Sequence, residues 1–345
     1  MAGRGTRATY DDFNQVRTYV LNVLGVGSGT KGYGQALASN AATAGDVISV
    51  AQWVNLRTDL SKARVHQTNT SVVDGLASTG GNAGSPWQTL QLVTSSTAIT
   101  EDIRNQYFLF ARDGVDASNT THAAAQLSSP TTPSGISNPI TRIGSWGTTV
   151  GSLTSTSMSF TLTWAGYGIL SAADHMRCFF NAGGQIQLSF SRTGAAITTK
   201  DTDWTNLLSS FGTFTLTNTG STVSGTVPSG GTYAGGASLP TSGYVNTATG
   251  YTGLSGTTTY LLCKNSTTYP TYAENRFYIS ATKTSNTMTF TCLFSDNDAG
   301  DQVGIGGALD ELVTGTLNAT LQVVSPTGAN VSINAPTASA SAFAP

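Results

Sequence analysis

Ser157-Met-Ser-Phe-Thr-Leu-Thr-Trp164 alternates at a period of two, with Met158, Phe160, Leu162 and Trp164 on one side and hydroxyls on the other. A strand buried on one face writes this pattern, because successive side chains leave opposite faces. The pattern returns in Gln185-Ile-Gln-Leu-Ser-Phe-Ser-Arg192 and, more briefly, in Phe214-Thr-Leu216. Four further runs read as strands: Thr258–Cys263, Arg276–Ala281, Met288–Phe294 and Thr316–Val324, with Thr284-Ser-Asn286 as a hairpin turn. Repeated one-sided strands predict an antiparallel sheet system with one solvated face. Two short helices interrupt it, Ser171–Asn181, closed by Gly183-Gly184, and Asp203–Phe211.

Upstream the period lengthens to that of a helix. Phe13, Val16, Val20, Val23 and Leu24 share one face, Asp12 and Gln15 have capping-box spacing, and Gly25 offers a left-handed stop. After the glycine-rich hinge 25–35, a second helix is expected from about Asp46. Its stripe holds Trp53, Leu56, Leu60 and Ala63, with Arg57, Lys62 and Arg64 outside. These two helices, 12–24 and 46–64, are expected to pack as an antiparallel hairpin. A Gly/Ser-rich joint follows at Gly75–Pro86, and a third helix is predicted from Thr100 through Phe110.

The fold expected is therefore α+β, mainly β. A helical module (1–115) leads through a linker or long loop (116–140) to an antiparallel β-sandwich-like body with short inserted helices (141–324). An extended C-terminal tail (325–345) ends it. Residues 218–256, dense in Gly, Ser and Thr, read as a surface excursion or a contact hairpin.

The chain has 345 residues, of which only 10% are charged, against roughly 25% in ordinary globular proteins. With 39% hydrophobic residues it is not compositionally disordered. A surface this poor in charge repels its neighbours weakly and suits a subunit embedded in an assembly. The net charge is −2, so no polyanion partner is implied. Residues 1–64 hold seven Lys/Arg against four Asp/Glu, read as solvated helix faces. No apolar run is long enough for a membrane span. The first residues lack the apolar core of a signal peptide, so synthesis in a cytoplasm is expected. Cys178, Cys263 and Cys292 are odd in number and widely spaced, which fits core thiols in a reducing compartment better than a disulfide framework.

No residue pattern specifies catalytic, cofactor or metal chemistry. Gly27-Ser-Gly-Thr-Lys-Gly32 matches G-x-G-x-x-G, but a helix precedes it where a dinucleotide site needs a strand. Asp296-Asn-Asp-Ala-Gly-Asp301 misplaces the glycine of a calcium loop and lacks its closing Glu, so it reads as a polar loop. His66, His122 and His175 have no triad context, and His175, beside Asp174 at a helix start, reads as taking a solvated or N-terminal role. Trp53, Trp146, Trp164 and Trp204 read as core anchors.

Three phrases carry a resemblance. Tyr33-Gly-Gln35 with Ser49–Gln67, then Ala173–Ile186, then Asp203–Leu208 resemble structural proteins of tailed bacteriophages, notably contractile-tailed phages of marine cyanobacteria. The resemblance covers residues 10–210. It implies a non-enzymatic virion protein, made in the host cytoplasm, that works in the tail, neck or fibre as an oligomer. Its partners would be copies of itself and neighbouring virion proteins, with no nucleic acid and no membrane. Two alternatives belong to other classes: an adhesin whose 218–256 loops hold a host surface glycan, and a virion-borne envelope hydrolase.

Overall fold

A computed structural model describes residues 9–69, 71–72, 90, 92–94, 101–116, 126–147, 155–227, 239–240, 242–297, 301–303, 307–309 and 312–344. The joint 75–86, Thr100, His122 and the middle of the 218–256 segment lie outside them. The chain divides into two units, each built from three stretches. The first holds Met1–Ser129, Gly166–Gly184 and Ser325–Asn334; the second holds Pro130–Ala165, Gln185–Val324 and Ala335–Pro345.

The first unit is helical. α1 (Tyr10–Val23) buries Phe13, Val16, Val20 and Val23, the expected stripe. Its capping box is formed by Thr9 and Asp12, so Asp12 is the third helical residue and not the cap. Leu24 closes the helix in right-handed conformation. Gly25 therefore serves a close approach: a Cβ there would sit 2.8 Å from the Leu21 carbonyl oxygen.

α2 (Val50–Thr68) starts four residues later than predicted, capped by Ser49 and Gln52, and runs past Arg64. Trp53 meets Phe13 edge-on at 5.3 Å and Tyr107 at 5.1 Å. Arg64 is buried and donates to the Gly114 carbonyl, so the expected solvated basic face does not extend to it. The helix is covered on more than its apolar stripe, burying Asp59, Arg64, His66 and Gln67 as well. Asp59, fully buried, accepts from the Ala38 and Ser39 amides and the Ser39 hydroxyl. α3 (Glu101–Leu109) continues into a π-helical turn at Phe110–Asp116, and α4 (Ala172–Asn181) is capped by Ser171.

The second unit is a mainly antiparallel β structure of two sheets. One has five strands in the order β1 (Ile140–Ile143), β12 (Thr316–Val324), β3 (Gln185–Thr193), β4 (Thr213–Leu216), β5 (Ser221–Val223). The other has six: β13 (Thr337–Ala340), β2 (Thr156–Thr163), β9 (Thr287–Ser295), β8 (Arg276–Lys283), β7 (Thr259–Asn265), β6 (Tyr244–Val245). A separate hairpin pairs β10 (Asp301–Val303) with β11 (Gly307–Leu309). The expected α+β, mainly β, sandwich-like class holds. Among the first three strands the chain alternates between sheets, and β12 lies between β1 and β3, as in the wrap of a jelly roll. The runs β3–β4–β5 and β6–β7–β8–β9 are meanders.

Aromatic residues fill the space between the sheets. Phe190 of β3 meets Phe277 of β8 at 4.7 Å and Phe294 of β9 at 5.9 Å. α5 (Thr199–Phe211) closes one end, with Phe211 stacked on Phe277 at 5.3 Å and 5° between planes. This helix begins four residues before the predicted Asp203, because Thr198 and Asp201 form its capping box.

Two boundary readings change. Residues 130–139, expected within a linker, run beside β12, with Thr131 and Val323 exchanging backbone hydrogen bonds. The expected C-terminal tail is extended, but residues 337–340 pair with β2 of the same chain, and Ser157 and Ala344 exchange backbone bonds beyond them. Small side chains do not prevent this. Backbone pairing supplies the contacts that the composition lacks.

Candidate functional sites

α5 opens with five polar residues, Thr199 to Asp203, of which Lys200, Asp201 and Asp203 are buried. Asp201 is fully buried. It pairs with Arg192 of β3 at 2.9 Å and accepts from the Thr314 amide and hydroxyl, both at 2.6 Å. Burial alone would raise this carboxyl. The Thr314 and Ile197 hydrogen bonds and the Arg192 charge outweigh it and hold the pKa below the ordinary value.

On the same turn of α5, a second centre has the opposite balance. Lys200 Nζ lies 2.8 Å from Asp296 Oδ2, and both side chains have zero exposure. Asp203, three residues after Lys200 and so on the same helix face, is also fully buried. Its carboxyl is pushed up to about 6, chiefly by burial and further by the Asp296 charge. The Ser266 hydroxyl donates to Asp203 Oδ1, which together with the Tyr269 amide and the Lys200 charge draws the pKa partly back.

The walls of this centre are aromatic and close. Trp146 lies 4.7 Å from Trp204 and 6.0 Å from Phe294, and Lys200 Nζ sits 5.9 Å from the centre of the Tyr272 ring. Gly147 holds φ +103° against Asp296, and a Cβ there would come within 2.5 Å of Oδ2. Asn275, fully buried, accepts from the Asn297 amide at 3.0 Å and fixes the loop that carries Asp296.

Asp296 is therefore no part of a solvated polar loop, as its sequence context suggested. Residues 298–300 lie outside the described residues, and Asp301 belongs to β10. Asp203 and Asp296 are two carboxylates in one place, but sealed from solvent, which a glycosidase pair cannot be. Among the described residues no group of three His, Cys, Asp or Glu is arranged to hold a metal.

The outward positions of the five-stranded sheet carry no charge. Register sets Gln322, Gln187, Thr215 and Thr222 in one row, and Thr320, Ser189 and Thr213 in the next. Asn318 Nδ2 reaches the Thr193 hydroxyl at 3.2 Å, and Ile143 at the sheet edge is 84% exposed. Arg142 and Arg192 fall on the alternate, inward positions opposite Leu317. The six-stranded sheet repeats the theme, with hydroxyl pairs Ser159–Thr291 at 3.3 Å and Thr161–Thr289 at 3.1 Å.

The remaining sequence candidates are structural. The Gly27–Gly32 loop turns carbonyls, not amides, towards a cation: Arg177 donates to Val26, Gly29 and Lys31 oxygens, and Asn181 to the last two. A phosphate cradle needs the reverse polarity. His175 is buried, not solvated, and its Nε2 lies 2.9 Å from the Asn334 carbonyl oxygen. His66 is buried with Nε2 2.9 Å from the Ala182 oxygen. All three cysteines are free and buried, with burial pushing Cys178 up to about 12 and Cys263 to about 11. Trp53, Trp146, Trp164 and Trp204 are all in the core.

A cleft of about 410 Å³ opens beside the 218–256 segment, lined among others by Thr226, Ser242, Lys264, Ser266 and Thr267. Lys264 is 7% exposed, and burial lowers its pKa. No helix among the described residues is long and apolar enough to cross a membrane. No protein-family model, curated protein or solved structure matches the chain.

Proposed function

We propose that this chain is a non-enzymatic structural subunit of a tailed-phage virion, in the tail, neck or fibre, and that it works by assembly. The observation that carries the reading is the uncharged outer face of the five-stranded sheet. Charged groups resist desolvation most strongly, so a face of hydroxyls and amides can be covered at lower cost, provided that a neighbour offers hydrogen bonds in return. The resemblance of 33–35 with 49–67, of 173–186 and of 203–208 to phage structural proteins supports the same reading. Copies of the chain and adjacent virion proteins are the partners it implies.

The test is the mass of the purified chain in solution across a concentration series. The expected result is a closed oligomer that dissociates when Gln187 and Gln322 are both changed to Lys, since the two residues pair across β3 and β12 and the substitutions place like charges in the face's centre. A monomer at every concentration, in the absence of other virion proteins and again in their presence, would remove the reading.

The Lys264 cleft favours a second reading, a host-glycan adhesin. One buried cation among hydroxyls suits a carboxylated sugar better than a neutral one. Binding of glucuronate but not glucose, lost in Lys264→Met, would support it.

A further inference from the structure

We propose that Lys200 and Asp296 condense into an intramolecular amide that covalently ties α5 to the end of β9, with Asp203 as the proton-transferring acid. This goes beyond the assembly reading and does not rest on it. Three features converge: a Lys–Asp contact of 2.8 Å, complete burial of both side chains, and a second buried carboxyl, that of Asp203, on the same helix face as Lys200.

The ion pair reacts through its neutral form. One proton passes from the Lys200 ammonium to the Asp296 carboxylate, giving an amine and a carboxylic acid. In water that transfer is strongly uphill, but a dry enclosure penalises the charged pair and narrows the difference. The amine lone pair then attacks Asp296 Cγ. Asp203 donates its proton to the developing oxyanion and takes one from the attacking nitrogen. The C–O bond breaks, water departs, and Asp203 ends as it began. The balance is one ammonium plus one carboxylate giving one amide plus one water, with no oxidant or co-reactant.

Asp203 suits this role because burial keeps its carboxyl protonated until about pH 6. Holding the reacting atoms together makes the step unimolecular. Gly147 and the Trp146, Trp204 and Phe294 rings limit the room for solvent, and Ser266, which bonds Asp203, also lines the neighbouring cleft. A cross-link here would join the helix to a strand of the six-stranded sheet, which suits a subunit that must bear load.

The experiment is mass spectrometry of the folded full-length chain. The expected intact mass is below the sequence mass by one water, about 18 Da. Peptide mapping should show the segment containing Lys200, uncleaved by trypsin after that residue, joined to the one containing Asp296. Lys200→Met and Asp296→Ala should each restore the full mass. Asp203→Asn, which keeps the shape, should leave the chain folded and unlinked. The parent's peptide map decides even where a variant fails to fold. A folded parent chain at full mass, cleaved normally after Lys200, would overturn the proposal and leave a structural ion pair. Water loss persisting in Asp203→Asn would overturn the part given to Asp203.

Discussion

Asp201 and Asp203 stand two residues apart on α5, both fully buried, and their carboxyls are pushed in opposite directions. Asp201 has an arginine and four hydrogen-bond donors from Thr314, Ile197 and Thr198. Asp203 has the Ser266 hydroxyl, the Tyr269 amide and a repelling carboxylate. Neighbouring positions on one helix thus favour the ionised form of one acid and the protonated form of the other.

A pH dependence follows from Asp203. Unfolded, it ionises near about 3.9; folded, it holds its proton to about 6. The folded chain binds more protons in that window, so the contribution to stability is complete below the unfolded value and is lost as pH rises through the folded one. Burial, the largest cause, persists whichever state Lys200 and Asp296 adopt. Melting temperatures across pH 4–7 should show this falling component, and Asp203→Asn should lack it. Asp201 has the opposite sign, its contribution being lost as pH falls through its depressed value.

Arg192→Ala should be severe. It leaves Asp201 buried with its cationic partner gone, a change that typically costs about 3–5 kcal/mol. Arg112, paired with Asp113 at the surface, should be replaceable by Ala with no shift in melting midpoint. Equal effects from the two substitutions would contradict the placement of Arg192 inside the sheet.

Trp53 joins α1, α2 and α3 through its contacts with Phe13 and Tyr107. Trp53→Ala should cost about 3–5 kcal/mol, the usual range for a buried aromatic. Denaturant unfolding of the parent and the variant measures it. A change below 1 kcal/mol would mean that the helices do not depend on this anchor.

Removing residues 335–345 should uncover the β2 edge. The expected outcome is a lower melting temperature and concentration-dependent association, because β2 loses its β13 partner and an open strand edge recruits other chains. Light scattering of the truncated chain, compared with the parent, reports both. An unchanged, monodisperse profile would show that the edge pairing contributes little.

Most strands were legible because the alternation in 157–164, 185–192 and 316–324 survives in the structure residue by residue. Helix starts were read less well: Thr9 and Thr198 look like ordinary threonines until the carboxylates of Asp12 and Asp201 are seen to reach back to them. β13 was missed because Thr337–Ala340 carries no apolar bulk and pairs through backbone alone. The buried charges were missed for a different reason. Arg192 falls in phase with Ile186, Leu188 and Phe190, a sequence signal that it points inward, yet its partner Asp201 could be named only from three dimensions. Lys200 and Asp296 are 96 positions apart, and only the packing of α5 against the end of β9 brings them together.

The most direct test of the proposed assembly role is a cryo-electron microscopy map of tailed-phage particles produced from a genome that carries the gene for this chain. The expected result is density for this fold at a symmetric position in the tail, neck or fibre. There the row Gln322–Gln187–Thr215 should be buried against another chain. Particles that lack the chain, or a map in which that face points into solvent with no neighbour in contact, would contradict it.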